Sequence, residues 1–600
     1  MREKSNLSNI VIAIIGVISL LIFGFSRSDS KYVESIGSDG KGYYANLPAL
    51  FIYKSLDFNY LTQKVEVYKE EPNQRFLVDV NGRKVNKYTI GTDILMLPFF
   101  IIACILSYIF GFEVDGYNSI FQDSIAFAGI FYMLAGFYFV AKLLNTFKIS
   151  PEKISILLIV SFLSTNIINY AIFDAAFSHV YSFFAIAAFL YYFRKLFITP
   201  TFRIIKIAAL LGLIILIRPT NVLIVLLIPF LAEAKGSFGE FFKKLMQKPQ
   251  RFFLATLSFF GILFIQSIVW KIQSHQFFVN TYPNEGFYWF NPNFKEYLWG
   301  FNKGLFVYTP LLALSFLGFL SPKWNGLQKF SLMAFIFGFI YINAAWWDIS
   351  FGDSLGQRAA IDVLPAFILL LVGISYWPIP TFLQIIIFSF YTIFSLHSAI
   401  QTYQYRNNIL HKYGMDYEKF KFSILKFSKK YENTITGDES TMMFGKKSEK
   451  ALLNLFSNFS DSCAICKDNI VAYEDNFLCQ LKSNIEFSGK LEIPFESLNQ
   501  KKLFFEVQFE TKELESKAAK GNLIAFSFND EFGKSVKIDY FNLVEIQGLK
   551  PNIWRNKKIS FNADLRNKSF KSLSLYFWNI NKGEFEIDNF YLKIWEIENY

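Results

Sequence analysis

Charged side chains stand where the apolar runs of this 600-residue chain end, and their types suggest chemistry at a membrane surface. Asp39 lies in the stretch Gly37-Ser-Asp-Gly-Lys-Gly-Tyr-Tyr44, just beyond the first apolar run. A carboxylate in that place can accept the proton of a reacting hydroxyl group. The alternative is an ordinary turn, because Asp followed by Gly is common in turns.

Three basic residues at similar boundaries suit an anion such as a phosphate. Lys87 lies where a loop meets an apolar run, Arg218 stands between two apolar runs, and Arg358 follows the stretch that begins with a Trp pair. A guanidinium matches phosphate with paired hydrogen bonds. Alternatively, Lys87 and Arg358 extend toward lipid headgroups, and Arg218 pairs with an internal acid such as Asp174.

Further polar and aromatic residues on the same side can contact a substrate. His179 can bind a ligand or tune a proton transfer, or it can simply begin a helix. The two Trp residues offer flat faces to sugar rings, although Trp is also typical of the membrane interface. The candidate substrate contacts are Tyr43, Tyr44, Asp174, His179, Trp346, Trp347 and Asp348.

The elements that must position these residues are membrane helices. Hydrophobic residues make up 53% of the chain and Phe occurs 73 times, more than a soluble core of this size can bury. A span needs roughly 20 apolar residues. The candidate segments are 9–25, 91–110, 119–141, 154–173, 178–197, 204–218, 220–234, 252–271, 304–320, 328–345, 359–376 and 380–400. They give eleven or twelve spans, depending on segment 91–110.

The distribution of Lys and Arg predicts which loops lie on which side. Basic loops near residues 142–153, 194–206, 235–251 and 323–329 alternate with loops poor in Lys and Arg, which places the candidate residues on the outer face. Segment 91–110 breaks the alternation, so it re-enters the membrane, lies along its surface, or is followed by an exceptional loop. The net charge of +11 is explained by these loops, and nucleic-acid binding is not expected.

Three regions are predicted: an α-helical membrane domain 1–403 with an outer loop 26–90, a basic juxtamembrane linker 404–440, and an all-β sandwich 441–600. In the outer loop, Gly42–Leu56 is predicted to be an interfacial helix. The sandwich is indicated by short alternating runs separated by polar turns. These runs are Lys502–Phe509, Leu523–Phe528, Ser535–Tyr540, Ser572–Trp578 and Phe590–Trp595.

Cysteines are few. Cys463 and Cys466 form a CxxC pair and Cys479 lies nearby, but a matching fourth ligand for zinc is missing. A local disulfide with one odd thiol is therefore the favoured interpretation, and the role of the three residues is left open.

Taken in order, the first span, the outer loop with Asp39, the predicted interfacial helix and the Lys87-Tyr boundary resemble the membrane glycosyltransferases of the GT-C fold. That group includes protein O-mannosyltransferases and aminoarabinose transferases. The resemblance covers residues 1 to about 400, with two departures: Asp39 is followed by Gly rather than an acid, and Lys87 by Tyr-Thr rather than Pro-Pro. The C-terminal region looks like a carbohydrate-binding jelly roll.

The resemblance implies a multi-pass enzyme of the bacterial cytoplasmic membrane, with its C-terminal domain on the extracytoplasmic side. Asp39 would be catalytic, and Lys87, Arg218 and Arg358 would bind the phosphate of a polyprenyl-phosphate-linked sugar. The acceptor would be a carbohydrate, a lipid or a protein. No cofactor is required, and a divalent metal is possible but not indicated.

Two other functions remain open from the sequence. One is a transporter or flippase of lipid-linked sugars, which needs charges along a path through the bilayer. The other is a polymerase or ligase of surface polysaccharide, whose large loop usually comes late in the chain. A membrane-anchored sugar-binding protein would not explain so many spans.

Overall fold

A computed structural model shows an apolar helical region followed by β-sheets. The described residues are 6–28, 34–61, 76–198, 204–232, 237–283, 285–378, 380–435, 446–448, 450–457, 459, 470–473, 476–494, 502–514, 522–543, 552–564, 570–580 and 582–598.

The helical region contains nineteen described α-helices and a short hairpin. The first part comprises α1 (Asn6–Ser28), α2 (Gly40–Tyr44), α3 (Asn46–Phe51), the hairpin β1 (Leu77–Val80) and β2 (Arg83–Asn86), α4 (Gly91–Ile109), α5 (Ser119–Thr146), α6 (Pro151–Leu163), α7 (His179–Ile198), α8 (Ile204–Ile217) and α9 (Ile228–Leu231). The second part comprises α10 (Ser237–Met246), α11 (Pro249–Ser274), α12 (Phe294–Trp299), α13 (Leu305–Tyr308), α14 (Pro310–Ser315), α15 (Gly326–Ala345), α16 (Ala359–Asp362), α17 (Leu364–Ile374), α18 (Thr381–Arg406) and α19 (Tyr417–Ser423).

Among the described residues, seven helices are long and apolar enough to cross a membrane: α1, α4, α5, α7, α11, α15 and α18. Shorter apolar helices lie at 204–217, 219–231, 310–320 and 364–374. This agrees with a polytopic helical region, but several predicted continuous spans are built from shorter pieces.

Four predicted spans are interrupted. Segment 220–234 consists of a 3₁₀-helix, Pro219–Leu227, followed by α9, and 304–320 consists of α13, α14 and a 3₁₀ turn. Segment 359–376 is divided into α16 and α17, while 154–173 consists of α6, a break and the π-helical turn Asn169–Phe173. Pro229, Pro310 and Pro365 each occupy the first turn of a new helix, because proline cannot donate the backbone hydrogen bond that continuation requires.

Helix α4 runs along only part of the length of its neighbour α5. It packs antiparallel to the first half of α5, with Tyr132 Oη donating to the Leu95 carbonyl at 2.8 Å and Asn118 Nδ2 donating to Ser107 Oγ at 3.3 Å. Gly16, in the middle of α1, packs against Leu134, close to the same level as Leu95. Helix α4 thus begins beside the middle of α5 and ends beside the start of α5.

The predicted interfacial helix Gly42–Leu56 has a different form. Helices α2 and α3 replace it, and Tyr44, Ala45 and Asn46 are buried inside the helical region. Several of the residues that suggested a surface helix, including Tyr44 and Leu47, thus face a protein core, whereas Phe51 is exposed.

The predicted basic linker 404–440 is packed where it is described. Tyr405, Leu410, Met415 and Ile435 form a small core with Tyr308 and other residues of the helical region. The backbone N–H of Met415 also donates to Asn302 Oδ1 at 3.1 Å. The first part of this segment therefore forms a wall of the helical domain.

The C-terminal region forms two antiparallel sheets. Its strands are β3 (Lys446–Lys447), β4 (Leu453–Ser457), β5 (Ile470–Tyr473), β6 (Asn476–Leu481), β7 (Leu491–Pro494), β8 (Lys502–Glu513), β9 (Leu523–Asn529), β10 (Ser535–Asn542), β11 (Arg555–Asp564), β12 (Ser572–Trp578) and β13 (Phe585–Glu598). One sheet has the order β10-β9-β12-β7, and the other follows β11-β8-β13-β6-β5, with β3 and β4 also paired to β13.

The two sheets enclose an aromatic core. Phe505 and Phe561 of one sheet stack with ring centroids 4.6 Å apart, and Phe526 of the other sheet lies 4.8 Å from Phe561. The alternating apolar runs produced this core, since every second residue of a strand faces the same side. Cys479 on β6 is disulfide-bonded and Cys104 on α4 is free, whereas Cys463 and Cys466 lie outside the described residues.

Candidate functional site

A cavity of about 1580 Å³ lies where several interrupted segments of the helical region meet. Its wall comes from the turn before α2, the turn after β2, the break after α8, the loops around residues 280 and 350, and the end of α18. It brings together nine of the residues predicted from the sequence. They are Asp39, Tyr43, Lys87, Asp174, Arg218, Trp346, Trp347, Asp348 and Arg358.

Asp39 presents its carboxylate to this cavity. It precedes α2, at a position where Asp usually caps the helix, but its side chain makes no capping hydrogen bond. Gly40 and Gly42 permit the tight placement of this turn, since a Cβ on Gly42 would lie 2.3 Å from the Tyr88 ring. The carboxylate is therefore directed toward the site rather than toward its own helix.

Arg358 is the principal partner of Asp39. Its Nη2 donates to the Asp39 carboxylate, and its guanidinium lies 4.7 Å from the centre of the Phe177 ring. Burial tends to raise the pKa of Asp39, but Arg358, a hydrogen bond from Tyr88 and the charge of Lys87 together hold that pKa below its ordinary value. Asp39 is consequently a carboxylate at neutral pH.

Lys87 is joined to a loop that follows α11. Its Nζ lies 3.2 Å from Glu285 Oε1, and the indole N–H of Trp347 donates to Glu285 Oε2 at 3.1 Å. The ammonium group also lies over the rings of Tyr88 and Tyr282, at 5.3 and 5.6 Å from their centres. Glu285 thus connects three segments that are far apart in sequence.

Arg218 follows the last residue of α8 and is directed between the cavity and a buried acid. Its Nε lies 3.4 Å from Asp362 Oδ2. Asp174, considered above as a partner of Arg218, is instead bound to Arg406 at 2.6 Å. The predicted pairing with Asp174 is wrong, whereas pairing with an internal acid is observed.

Two candidate substrate contacts do not line the cavity. His179 is buried, with Nδ1 2.7 Å from Asp362 Oδ1. Tyr44 is buried in the core and donates its hydroxyl hydrogen to the Gly116 carbonyl at 2.5 Å. Because both side chains are buried away from the cavity, they are better placed to support the site than to contact a substrate.

The stretch around the Trp pair has a mixed role. The Asp348 carboxylate accepts hydrogen bonds from the backbone N–H groups of Ser350 and Gly352, at 2.9 and 2.8 Å, and so shapes its own loop. Trp346 packs against Phe287 and Tyr282, with ring centroids 4.7 and 6.0 Å apart. Part of its ring surface is therefore already covered by protein.

The site also contains residues that the sequence did not single out as functional. Local sequence patterns do not show which segments these residues contact, although Glu285 is visible as an acid in the aromatic loop after α11. These additional residues are Tyr88, Trp270, Tyr282, Glu285, Asp353 and Arg406, all of which line the cavity. Within the described part of the chain, no group of three His, Cys, Asp or Glu side chains is placed to hold a metal ion.

No family model matches the chain, and no curated protein is significantly similar to it. Three cations, Lys87, Arg218 and Arg358, stand beside three acids, Glu285, Asp362 and Asp39. Such a set offers positive charge to an anion in the cavity and keeps the Asp39 carboxylate beside that charge.

Proposed function

We propose that this chain is a glycosyltransferase that moves a sugar from a polyprenyl-phosphate donor to an acceptor hydroxyl at the outer face of a bacterial cytoplasmic membrane. The observation that carries the proposal is the meeting of Asp39, Lys87, Arg218 and Arg358 around one cavity. The resemblance to GT-C transferases assigns these same residues to catalysis and to the donor phosphate.

The donor fits the mixed character of the cavity wall. A sugar linked to polyprenyl phosphate is a phosphodiester with one negative charge and a long apolar chain. Lys87, Arg218 and Arg358 offer positive charge, while Ile217, Trp270 and Ile342 line the same cavity from apolar helices and their ends. The phosphate can lie among the cations while the chain remains in the bilayer.

The reaction is a single displacement with inversion. The acceptor oxygen attacks the anomeric carbon, and the bond from that carbon to the phosphate oxygen breaks with its electron pair going to the phosphate. Asp39 receives the acceptor proton. A carboxylate with a low pKa suffices because the hydroxyl becomes strongly acidic only once its bond to carbon is forming.

The arginines stabilise the leaving phosphate, whose charge increases as the bond breaks. This step needs no cofactor. A divalent metal is compatible with the proposal but is not required by it. The acceptor class, whether carbohydrate, lipid or protein, is not specified by these residues.

The disulfide of Cys479 supports an extracytoplasmic position for the C-terminal domain, because such bonds persist mainly in oxidising compartments. A flippase remains the alternative. It differs in moving lipid-linked sugar across the bilayer without breaking the sugar–phosphate bond.

The direct experiment incubates the purified full-length protein with polyprenyl-phosphate sugars of several kinds and with carbohydrate, lipid and protein acceptors, and measures release of polyprenyl phosphate. We expect release with at least one sugar and its loss in Asp39→Asn. Asp79→Asn is the matched control and should behave like the wild type, because Asp79 is exposed on strand β1 and accepts only from the Gly82 N–H of the hairpin turn among its described contacts. Transport without release, or normal turnover in Asp39→Asn, contradicts the proposal.

A further inference from the structure

A buried carboxylate behind Arg218 reaches three side chains at once. Asp362 is 1% exposed, and its Oδ1 lies 2.7 Å from Nδ1 of His179. Its Oδ2 accepts a hydrogen bond from Asn221 Nδ2 at 3.0 Å and lies 3.4 Å from Arg218 Nε. Arg218 lines the large cavity, whereas the other three residues stand behind it.

The break between two helical segments creates this arrangement. Arg218 has extended backbone angles, φ −149° and ψ 114°, and precedes the 3₁₀-helix Pro219–Leu227. The backbone N–H of Asn221 donates to the Arg218 carbonyl at 3.0 Å, and both side chains reach Asp362. Asn221 is further anchored to Ser182 Oγ of α7 at 3.1 Å.

His179 fixes the orientation of Asp362 and leaves Arg218 for another partner. At 2.7 Å, its Nδ1 donates a hydrogen to the carboxylate. That nitrogen cannot at the same time accept a hydrogen from Arg218 Nη1, which lies 3.4 Å away. Arg218 Nε therefore has the Asp362 carboxylate as its ion-pair partner, at 3.4 Å.

We propose that Asp362 is a positioning residue whose contact with Arg218 Nε, at 3.4 Å, holds the guanidinium at the cavity wall for the donor phosphate. This inference rests on the proposed function. An arginine that is fixed before the ligand arrives loses less side-chain freedom on binding, which increases affinity. Asp362 itself does not touch the substrate. Its loss should therefore weaken phosphate binding through Arg218 and in no other way.

The test measures binding of polyprenyl phosphate, the sugar-free product, to the full-length protein in nanodiscs. We expect Asp362→Asn to weaken binding about tenfold, or about 1.4 kcal/mol. Arg218→Ala should weaken it at least as much, and the double variant should bind no worse than Arg218→Ala. Such non-additivity is the signature of a residue acting through its neighbour.

Two further variants separate positioning from general damage. Asp123→Asn removes another carboxylate that pairs with an arginine, Arg27 at 2.8 Å, and does not line the cavity, so its binding should be unchanged. Asn221→Ala, a milder change, should weaken binding in the same direction if Asp362→Asn fails to fold. The positioning role alone is overturned if Asp362→Asn binds polyprenyl phosphate as well as the wild type does. If Asp362→Asn does not fold, wild-type binding by Asn221→Ala overturns it instead. Additive effects in the double variant also overturn it. Failure of the wild type to bind polyprenyl phosphate overturns the proposed function as well.

Discussion

The Asp39 carboxylate and the Arg358 guanidinium form an ion pair in the cavity although 319 residues separate them along the chain. The arginine side chain is 8% exposed and that of the aspartate is 29% exposed. The pair therefore links a mostly buried cation to a carboxylate that a substrate can still reach. The arginine also lowers the pKa of Asp39.

Transfer activity should persist to a pH below the ordinary range of Asp. Burial raises the pKa of Asp39, and the opposing effect of Arg358, Tyr88 and Lys87 lowers it overall. In Arg358→Gln the largest opposing charge is absent, so the pKa should rise and the acid limb should move to higher pH. The measurement is kcat/KM for polyprenyl phosphate release against pH, because that ratio reports the pKa of the free enzyme. An acid limb at the same pH in both proteins would show that Asp39 is not the titrating base.

Glu285→Gln should strengthen the binding of polyprenyl phosphate. Glu285 neutralises Lys87 at 3.2 Å, so an incoming phosphate must compete with it. The side chains of Lys87 and Glu285 are 16% and 24% exposed, and screening limits the gain to about two- to fivefold. Titration of the ligand into both proteins measures this difference. Weaker binding in Glu285→Gln would mean that the contact mainly holds the loop in place.

The free energy of unfolding should increase as pH rises from 7 to 10, because the folded protein loses the Lys303 proton in this range and the unfolded chain keeps it. Burial lowers its pKa to about 7, against the opposing charge of Asp348, and its Nζ donates to the Gly352 carbonyl. The unfolded chain binds this proton up to the ordinary pKa near 10.4, whereas the folded protein has released it. Stability increases with pH wherever the unfolded state holds more protons.

Thermal unfolding of the wild type and Lys303→Met across this pH range tests that expectation. The wild-type melting temperature should rise more steeply than that of the variant. Parallel curves would mean that Lys303 remains charged in the folded protein.

Cys479→Ser should destabilise the β region by about 2–5 kcal/mol, the usual effect of removing a disulfide from a small domain. Reducing agent should have a similar effect on the wild type and little effect on the variant. Cys104→Ser serves as the control because Cys104 is a free cysteine on α4. Equal unfolding temperatures for the wild type and Cys479→Ser would contradict a stabilising role.

We expect α4 to be a re-entrant segment, since it pairs with only the first half of α5, so reporters placed after residues 85 and 115 should lie on the same side of the membrane. A reporter after residue 430 should lie there too, and one after residue 148 on the opposite side. The measurement is labelling by an impermeant reagent in intact cells. Opposite sides for residues 85 and 115 would make α4 a true span.

The sequence was sufficient to predict much of the architecture. Long apolar runs predicted membrane-length helices such as α5 and α7, because lipid-facing segments must be apolar and of bilayer length. Alternating runs predicted β8, β9, β10 and β12, since a strand with one buried face has a period of two. Asp39 and Arg358 also drew attention locally, as charged residues beside apolar runs.

Only the tertiary structure decided which of these residues meet. It paired Arg218 with Asp362 rather than Asp174, brought Glu285 to Lys87, and placed His179 behind the cavity. It also divided four predicted spans into shorter helices. The physical reason is that periodicity and composition report local preference, whereas an ion pair depends on how distant segments pack. The sequence by itself determined which residues could do chemistry, and long-range packing decided which of them share one cavity.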